Sequence, residues 1–227
     1  MQKIYSELPD DWIILLEHKP YEPAFYSTVI NDWGTSYICS KELGEKAMCL
    51  VDLGHHLPNT NIEMIISRLI NLNKLGGFHF NDSKYGDDDL DSGSINPYEL
   101  FLIFNELSYA NSENIKKIHY MIDQTHNITD PIESLIQSSN EIINAYAKSL
   151  LIDQAKLKYM QENNDVIGAT MILKEAYGID VSPLIKKIRF EKNNSIEPLI
   201  NYRELNYKKQ KAKIRIKKIK TSNAFND

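Results

Sequence analysis

The sequence predicts an α/β fold with parallel strands, and three observations carry that prediction. Four short apolar runs each end in a polar tail. The stretches between them hold helical apolar spacing and helix-start signatures. Each polar tail also holds a residue able to bind a metal: Glu17, Asp52, His79 and Asp123. Strand and helix alternate four times over, which argues for parallel strands joined by right-handed crossovers.

The elements follow in order. Residues 1–9 read as the end of a helix. Trp12-Ile13-Ile14-Leu15-Leu16 is the first apolar run, and it leads into Glu17-His18-Lys19-Pro20. A short helix is predicted over 35–43, after Asp32-Trp33-Gly34. Ala47-Met48-Cys49-Leu50 reads as a buried strand running into Val51-Asp52-Leu53-Gly54-His55-His56. Residues 61–70 have helical spacing, with Asn59, Thr60 and Asn61 as candidate caps. Gly77-Phe78-His79-Phe80 is the third strand. A polar turn follows it, with Asp82, Asp87, Asp88 and Asp89 close together.

Asn96-Pro97 opens the next helix, over 96–107, because proline suits the first helical turn. Ile118-His119-Tyr120-Met121-Ile122 then runs into Asp123-Gln124-Thr125-His126-Asn127, and Asp130-Pro131 repeats the helix-start signature. Beyond it the chain is helical. One helix is predicted over 134–162, from Leu135, Ile142, Ile143, Tyr146, Leu150, Leu151 and Leu157. A second is predicted over 165–177, ended by Gly178. Residues 208–220 form a run of Lys and Arg with no acid. Without interleaved aromatics it reads as a solvated helical tail rather than a nucleic-acid surface.

The chemistry concentrates in segment 79–89. Crowded carboxylates repel, and a cation compensates them. The competing reading is an acidic, solvated loop that caps the helix at Asn96-Pro97. The other strand ends favour the cation, since converging strand ends are how a parallel α/β barrel builds its site. Mixed carboxylate and imidazole donors suit Mn²⁺, Co²⁺, Zn²⁺ or Mg²⁺. The lack of thiolate ligands argues against a structural zinc site. Cys39 and Cys49 form no metal or redox motif, and Cys49 is expected inside a strand. With no apolar run long enough for a bilayer and no leader pattern, a cytoplasmic protein without membrane or nucleic-acid partners is expected. The net charge of −5 is ordinary for a soluble enzyme.

Four segments together resemble the L-rhamnose isomerase family, in the xylose isomerase-like barrel superfamily. They are Glu17-His18-Lys19-Pro20-Tyr21-Glu22-Pro23-Ala24-Phe25-Tyr26, Asp52-Leu53-Gly54-His55-His56, the long His79-Phe80-Asn81-Asp82-Ser83-Lys84-Tyr85-Gly86-Asp87-Asp88-Asp89, and Met121-Ile122-Asp123-Gln124-Thr125-His126-Asn127. The resemblance implies the C-terminal half, four βα units, of a (β/α)8 TIM barrel followed by a helical C-terminal extension. The barrel half would span 1–140. The extension would span 141–227, as a subunit-contact region with a basic tail. The family's first four strands have no counterpart here, so the chain alone is expected to be incomplete and inactive.

The resemblance also implies two divalent ions, Mn²⁺ foremost. Glu17, Asp52, His79 and Asp123 would hold a structural ion. His55, Asp87 and Asp89 would hold a catalytic one, with Asp52 bridging. Lys19, His55 and Trp33 would contact the sugar. Asp123 and Lys19 would take part in aldose–ketose isomerisation of L-rhamnose, with hydrogen moving between C1 and C2 by a hydride shift or an enediol. The implied partners are the sugar and either further copies of the chain or a complementing N-terminal half. Another sugar, or a non-catalytic metal-binding remnant, is the alternative.

Neighbouring residues receive lesser roles. Trp33 is either a sugar contact or a packing anchor. His56, His126 and Asn127 are expected to orient carboxylates. His18 and His119 are expected to pack beside outward strand positions. Glu22 and Pro23 shape the loop after Lys19. Asp82, Lys84 and Asp88 are expected to pair with one another or with solvent.

Overall fold

A computed structural model describes residues 1–22, 28–110, 112–125 and 128–223. The segments containing Pro23, Ala24, Phe25, Tyr26, His126 and Asn127 lie outside the described residues. Four parallel strands form one sheet in chain order, β1 (Ile14–Glu17), β2 (Ala47–Asp52), β3 (Leu75–Phe80) and β4 (His119–Ile122). The register pairs Glu17 with Leu50, Asp52 with His79, and His79 with Met121, so the polar strand ends come level. A register shift between Cys49 and Leu50 sits below them. Strands β1 and β4 are the edges of the described sheet. Trp12 and Ile13, included in the first apolar run, stay outside β1 and are exposed.

Helix α1 (Gln2–Ser6) precedes β1, and the crossovers between strands carry α2 (Trp33–Leu43), α3 (Ile62–Asn71), α4 (Pro97–Ser108) and the short α5 (Ser112–Ile115). Their starts obey the expected capping chemistry. Asp32 accepts from Thr35 N, Asn61 from Met64 N and Asn96 from Glu99 N, each satisfying an amide the helix cannot.

The apolar core lies on one face of the sheet. Cys49, Val51, Phe78 and Phe80 meet Ile62, Ile65, Ile66 and Leu69 from α3 and Leu100, Phe101, Ile103 and Phe104 from α4. Phe78 and Phe80 stack at 5.3 Å, and Phe80 stacks on Phe104 at 6.0 Å. Each such side chain contributes about 1.5–3 kcal/mol through burial. The opposite face is closed near its base by Leu15 and Met48 over Gly76. A Cβ at Gly76 would lie 2.4 Å from the Met48 Cβ, so only glycine fits there.

The expected helix over 134–162 divides in two. It forms α6 (Pro131–Ser149), capped by Asp130, and α7 (Gln154–Glu162). The division has a local cause: the Asp153 carboxylate accepts from Lys156 N and starts a new helix four residues after the old one ends. Helix α8 (Val166–Gly178) follows, capped by Asp165, and gives Ile172 and Ala176 to the core.

The chain separates into two compact units, Met1–Val181 and Ser182–Asp227. The second contains α9 (Ser182–Glu191), α10 (Pro198–Glu204) and α11 (Tyr207–Asn223), with Lys186 paired to Glu197 at 2.5 Å. The basic run falls on α11, where residues 208–215 are exposed. Among the described residues, no helix is long and apolar enough to cross a membrane.

Candidate metal centre

Alternation along the strands puts Glu17, Asp52, His79 and Asp123 on the face away from the core. His79 Nδ1 lies 2.9 Å from Glu17 Oε1, 3.3 Å from Asp123 Oδ2 and 3.5 Å from Asp52 Oδ2. One ligand atom from each of the four falls within 4.8 Å of every other. A second group, Asp52, His55 and Asp89, meets the same limit. Asp52 belongs to both and is wholly buried.

Asp87 lies against this second group. Its Oδ1 is 3.0 Å from His55 Nε2 and its Oδ2 is 2.9 Å from Lys19 Nζ. Lys19 also reaches Glu22 Oε1 at 3.0 Å. His55 is oriented from behind, where its Nδ1 meets the His18 carbonyl at 3.0 Å. A carbonyl can only accept, so Nδ1 is the donor in that contact and Nε2 is the nitrogen turned toward Asp87.

The loop that delivers Asp87 and Asp89 is organised by residues outside the expected ligand set. Asp88 accepts from Lys84 N and Tyr85 N, both at 2.7 Å, and from Ser83 Oγ at 3.1 Å. Asp82 accepts from Ile95 N and Asn96 N, and an antiparallel bridge joins Asp82 to Leu90. Asp82, Lys84 and Asp88 are expected to pair with one another or with solvent; Asp88 does meet Lys84, but through the backbone amide and not the ammonium. Both carboxylates take backbone amides instead, and Lys84 Nζ lies over the Tyr85 ring. Asp87 (φ 58°) and Asp89 (φ 48°) occupy the left-handed region, which Asp tolerates better than most residues. Two consecutive odd positions turn both acids toward the strand ends.

Electrostatics match this crowding. The Asp52 and Glu17 carboxylates facing His79 Nδ1 favour the charged imidazole and push its pKa up to about 10. Burial, with the negative charges of Asp87 and Asp52, raises Asp89 to about 6. Burial disfavours the Asp52 charge, but His79 and His55 outweigh it and keep the carboxyl below its ordinary range. Burial also disfavours the Lys19 charge. The Asp87 and Glu22 carboxylates reverse that and hold the ammonium above its ordinary range.

His18 packs as expected, though just past β1 rather than within it: it is 2 % exposed and edge-on to His56 at 4.6 Å. Burial lowers His18 to about 4 and His56 to about 3, so both stay neutral and fill space behind His55. His119 begins β4 and is exposed. Trp33 is the first residue of α2, with the Arg68 guanidinium 5.8 Å from its ring. It lines a cavity of about 720 Å³ with His18, Tyr21, Glu22, His55 and His56.

The residues fit a divalent cation on two counts. Among the described residues, the five carboxylates of Glu17, Asp52, Asp87, Asp89 and Asp123 converge on Lys19, His55 and His79. In addition, the buried Asp52 Oδ2 has no well-formed hydrogen bond among the described residues, its neighbouring imidazole nitrogen, His79 Nδ1, standing off at 3.5 Å. A buried carboxylate oxygen left unsatisfied is costly unless something positive meets it. Oxygen and imidazole donors without sulfur suit ions such as Mn²⁺, Co²⁺, Zn²⁺ or Mg²⁺.

No protein-family model matches the chain. The chain is 56% identical over 211 residues to a protein named as a probable sugar isomerase from Mesorhizobium japonicum. It is 55% identical over 210 residues to another of that description from Rhizobium meliloti. Each match covers 92% of this chain and 49% of the relative, so the chain spans about half the length of these curated relatives.

Proposed function

We propose that this chain supplies the metal-binding half of a sugar isomerase, and that the substrate is L-rhamnose, interconverted with L-rhamnulose. The observation that carries this reading is the pair of clusters sharing Asp52 at the ends of four parallel strands. The high identity to proteins named as probable sugar isomerases supports the reaction class. In this reading the four strand–helix units are one half of an eight-stranded barrel, and a further half completes the sugar pocket.

Glu17, Asp52, His79 and Asp123 would hold one ion, and His55, Asp87 and Asp89 the second, with Asp52 common to both. Bound there, the ions would polarise the sugar carbonyl and acidify the neighbouring hydroxyl. The chain's own groups do the rest. Lys19, kept cationic by Asp87 and Glu22, holds a sugar oxygen beside the reacting carbons. Asp123, the most exposed of the first cluster, carries the hydroxyl proton from O2 to O1 as hydrogen passes from C2 to C1. Trp33 lends an apolar wall. Neutral His18 and His56 keep His55 in place.

One observation favours a second reading for the isolated chain. The Asp123 side chain is 57 % exposed, so among the described residues the site is open along this edge. Exposure of this kind lets water compete for the reacting groups. By itself the chain would then bind metal without turning sugar over. The test is an isomerase assay on L-rhamnose and other aldoses with Mn²⁺, using the chain alone and co-expressed with the remaining half of a relative. Turnover of L-rhamnose only in the co-expressed sample is expected. No turnover of any aldose in either sample would overturn the isomerase assignment.

A further inference from the structure

We propose that Asn81 is the positioning residue that couples the two clusters, acting on Asp52 and Asp89; the proposal rests on the two-ion reading above. Asn81 follows β3 directly and is 2 % exposed. Its Nδ2 donates to Asp52 Oδ1 at 2.9 Å and reaches Asp89 Oδ1 at 3.5 Å. Asp52 serves both groups and Asp89 only the second, so a single amide spans the whole arrangement.

The contact sorts the oxygens of Asp52. Oδ1 receives Asn81 Nδ2 and the Gly54 amide, both at 2.9 Å. Oδ2 has no well-formed hydrogen bond among the described residues and lies on the His79 side. One oxygen is thus anchored by the protein while the other is presented to a cation. Asn81 also needs Gly54, since a Cβ there would come within 2.9 Å of Asn81 Oδ1.

The residue type matters. An amide orients a carboxylate without neutralising it, so the charge remains available to an ion. A lysine here would compete with that ion, and an aspartate would repel both carboxylates. Groups that orient ligands in this way typically account for about 10–100-fold in metal affinity.

The test is a calorimetric titration of the full chain with Mn²⁺, comparing wild type with Asn81→Asp and Asn81→Ala. An Asp123→Asn background, which leaves only the second cluster complete, isolates the Asp52–His55–Asp89 site. In that background Asn81→Asp is expected to weaken binding by at least about tenfold. Asn105→Ala removes a buried amide on α4 whose oxygen accepts from Gln154, and is expected to leave affinity unchanged. If Asn81→Asp fails to fold by circular dichroism, Asn81→Ala decides, since it removes the donor and adds no charge. Mn²⁺ affinity equal to the parent in a folded Asn81 variant would overturn the proposal alone. A wild-type chain that takes up no Mn²⁺ would overturn the two-ion reading, and the proposal with it.

Discussion

Lys19 shows how much of this site depends on single contacts. Its ammonium is held between Asp87 and Glu22, which keeps it charged while leaving it 26% exposed. A group so placed can meet a sugar oxygen without being an ion ligand. Lys19→Ala should therefore leave Mn²⁺ stoichiometry intact and lower kcat of the reconstituted enzyme by about 10²-fold or more, the usual scale for a lost charge-stabilising donor. Calorimetry and a steady-state assay on the same preparation check both halves of the claim. A variant with full turnover would remove Lys19 from the mechanism. The histidines make a related point. His55 faces Asp87, while burial keeps His18 and His56 neutral.

At the scale of elements, the loop 82–90 and helix α4 are the informative pieces. Asp88 gathers two backbone amides and the Ser83 hydroxyl, so it holds the loop that aims Asp87 and Asp89. Asp88→Ala should destabilise the chain by about 1 kcal/mol. It should also weaken Mn²⁺ binding at the Asp52–His55–Asp89 site by about tenfold while sparing the other cluster. Denaturant melts and titration read these separately, and unchanged affinity would show that the loop holds its shape without Asp88.

Helix α4 offers a pH signature away from the metal ligands. Burial and the Glu63 charge raise Glu99 to about 7 from the ordinary 4.5. The folded state therefore binds a proton that the unfolded state has already lost between those values. Stability from this group is present below about pH 4.5 and is lost as pH rises toward 7. Glu99→Gln keeps the reciprocal contact with Asn96 and should flatten the fall in Tm between pH 5 and 8, gaining about 2–4 °C at pH 8. A Tm profile parallel to wild type would refute this.

The strands, their order and the caps at Asn61, Asn96 and Asp130 were legible because hydrophobic runs and capping chemistry are local signals. The break at Asp153 was not, since apolar spacing continued through 134–162 and only the cap marks the division. Convergence of Glu17, Asp52, His79 and Asp123 was legible from their shared place at strand ends. The duties of Asp82, Asp88 and Asn81 were hidden, because they depend on which backbone amides and carboxylates the folded loop brings near.

For the whole molecule, one face of the sheet is sealed by α3 and α4, while the other carries the acids and remains partly open. That asymmetry sets a helix-covered apolar layer against a face of clustered carboxylates and imidazoles, where the proposed ions would bind. Asp52 stands where they meet: buried, shared by both clusters, and with one oxygen unsatisfied. The most direct measurement is Mn²⁺ stoichiometry of the full chain for wild type, Asp89→Asn and Asp52→Asn. The account predicts two ions for wild type, one for Asp89→Asn, and loss of both, by at least about 10–100-fold in affinity, for Asp52→Asn. Undiminished binding of two ions by Asp52→Asn would contradict it.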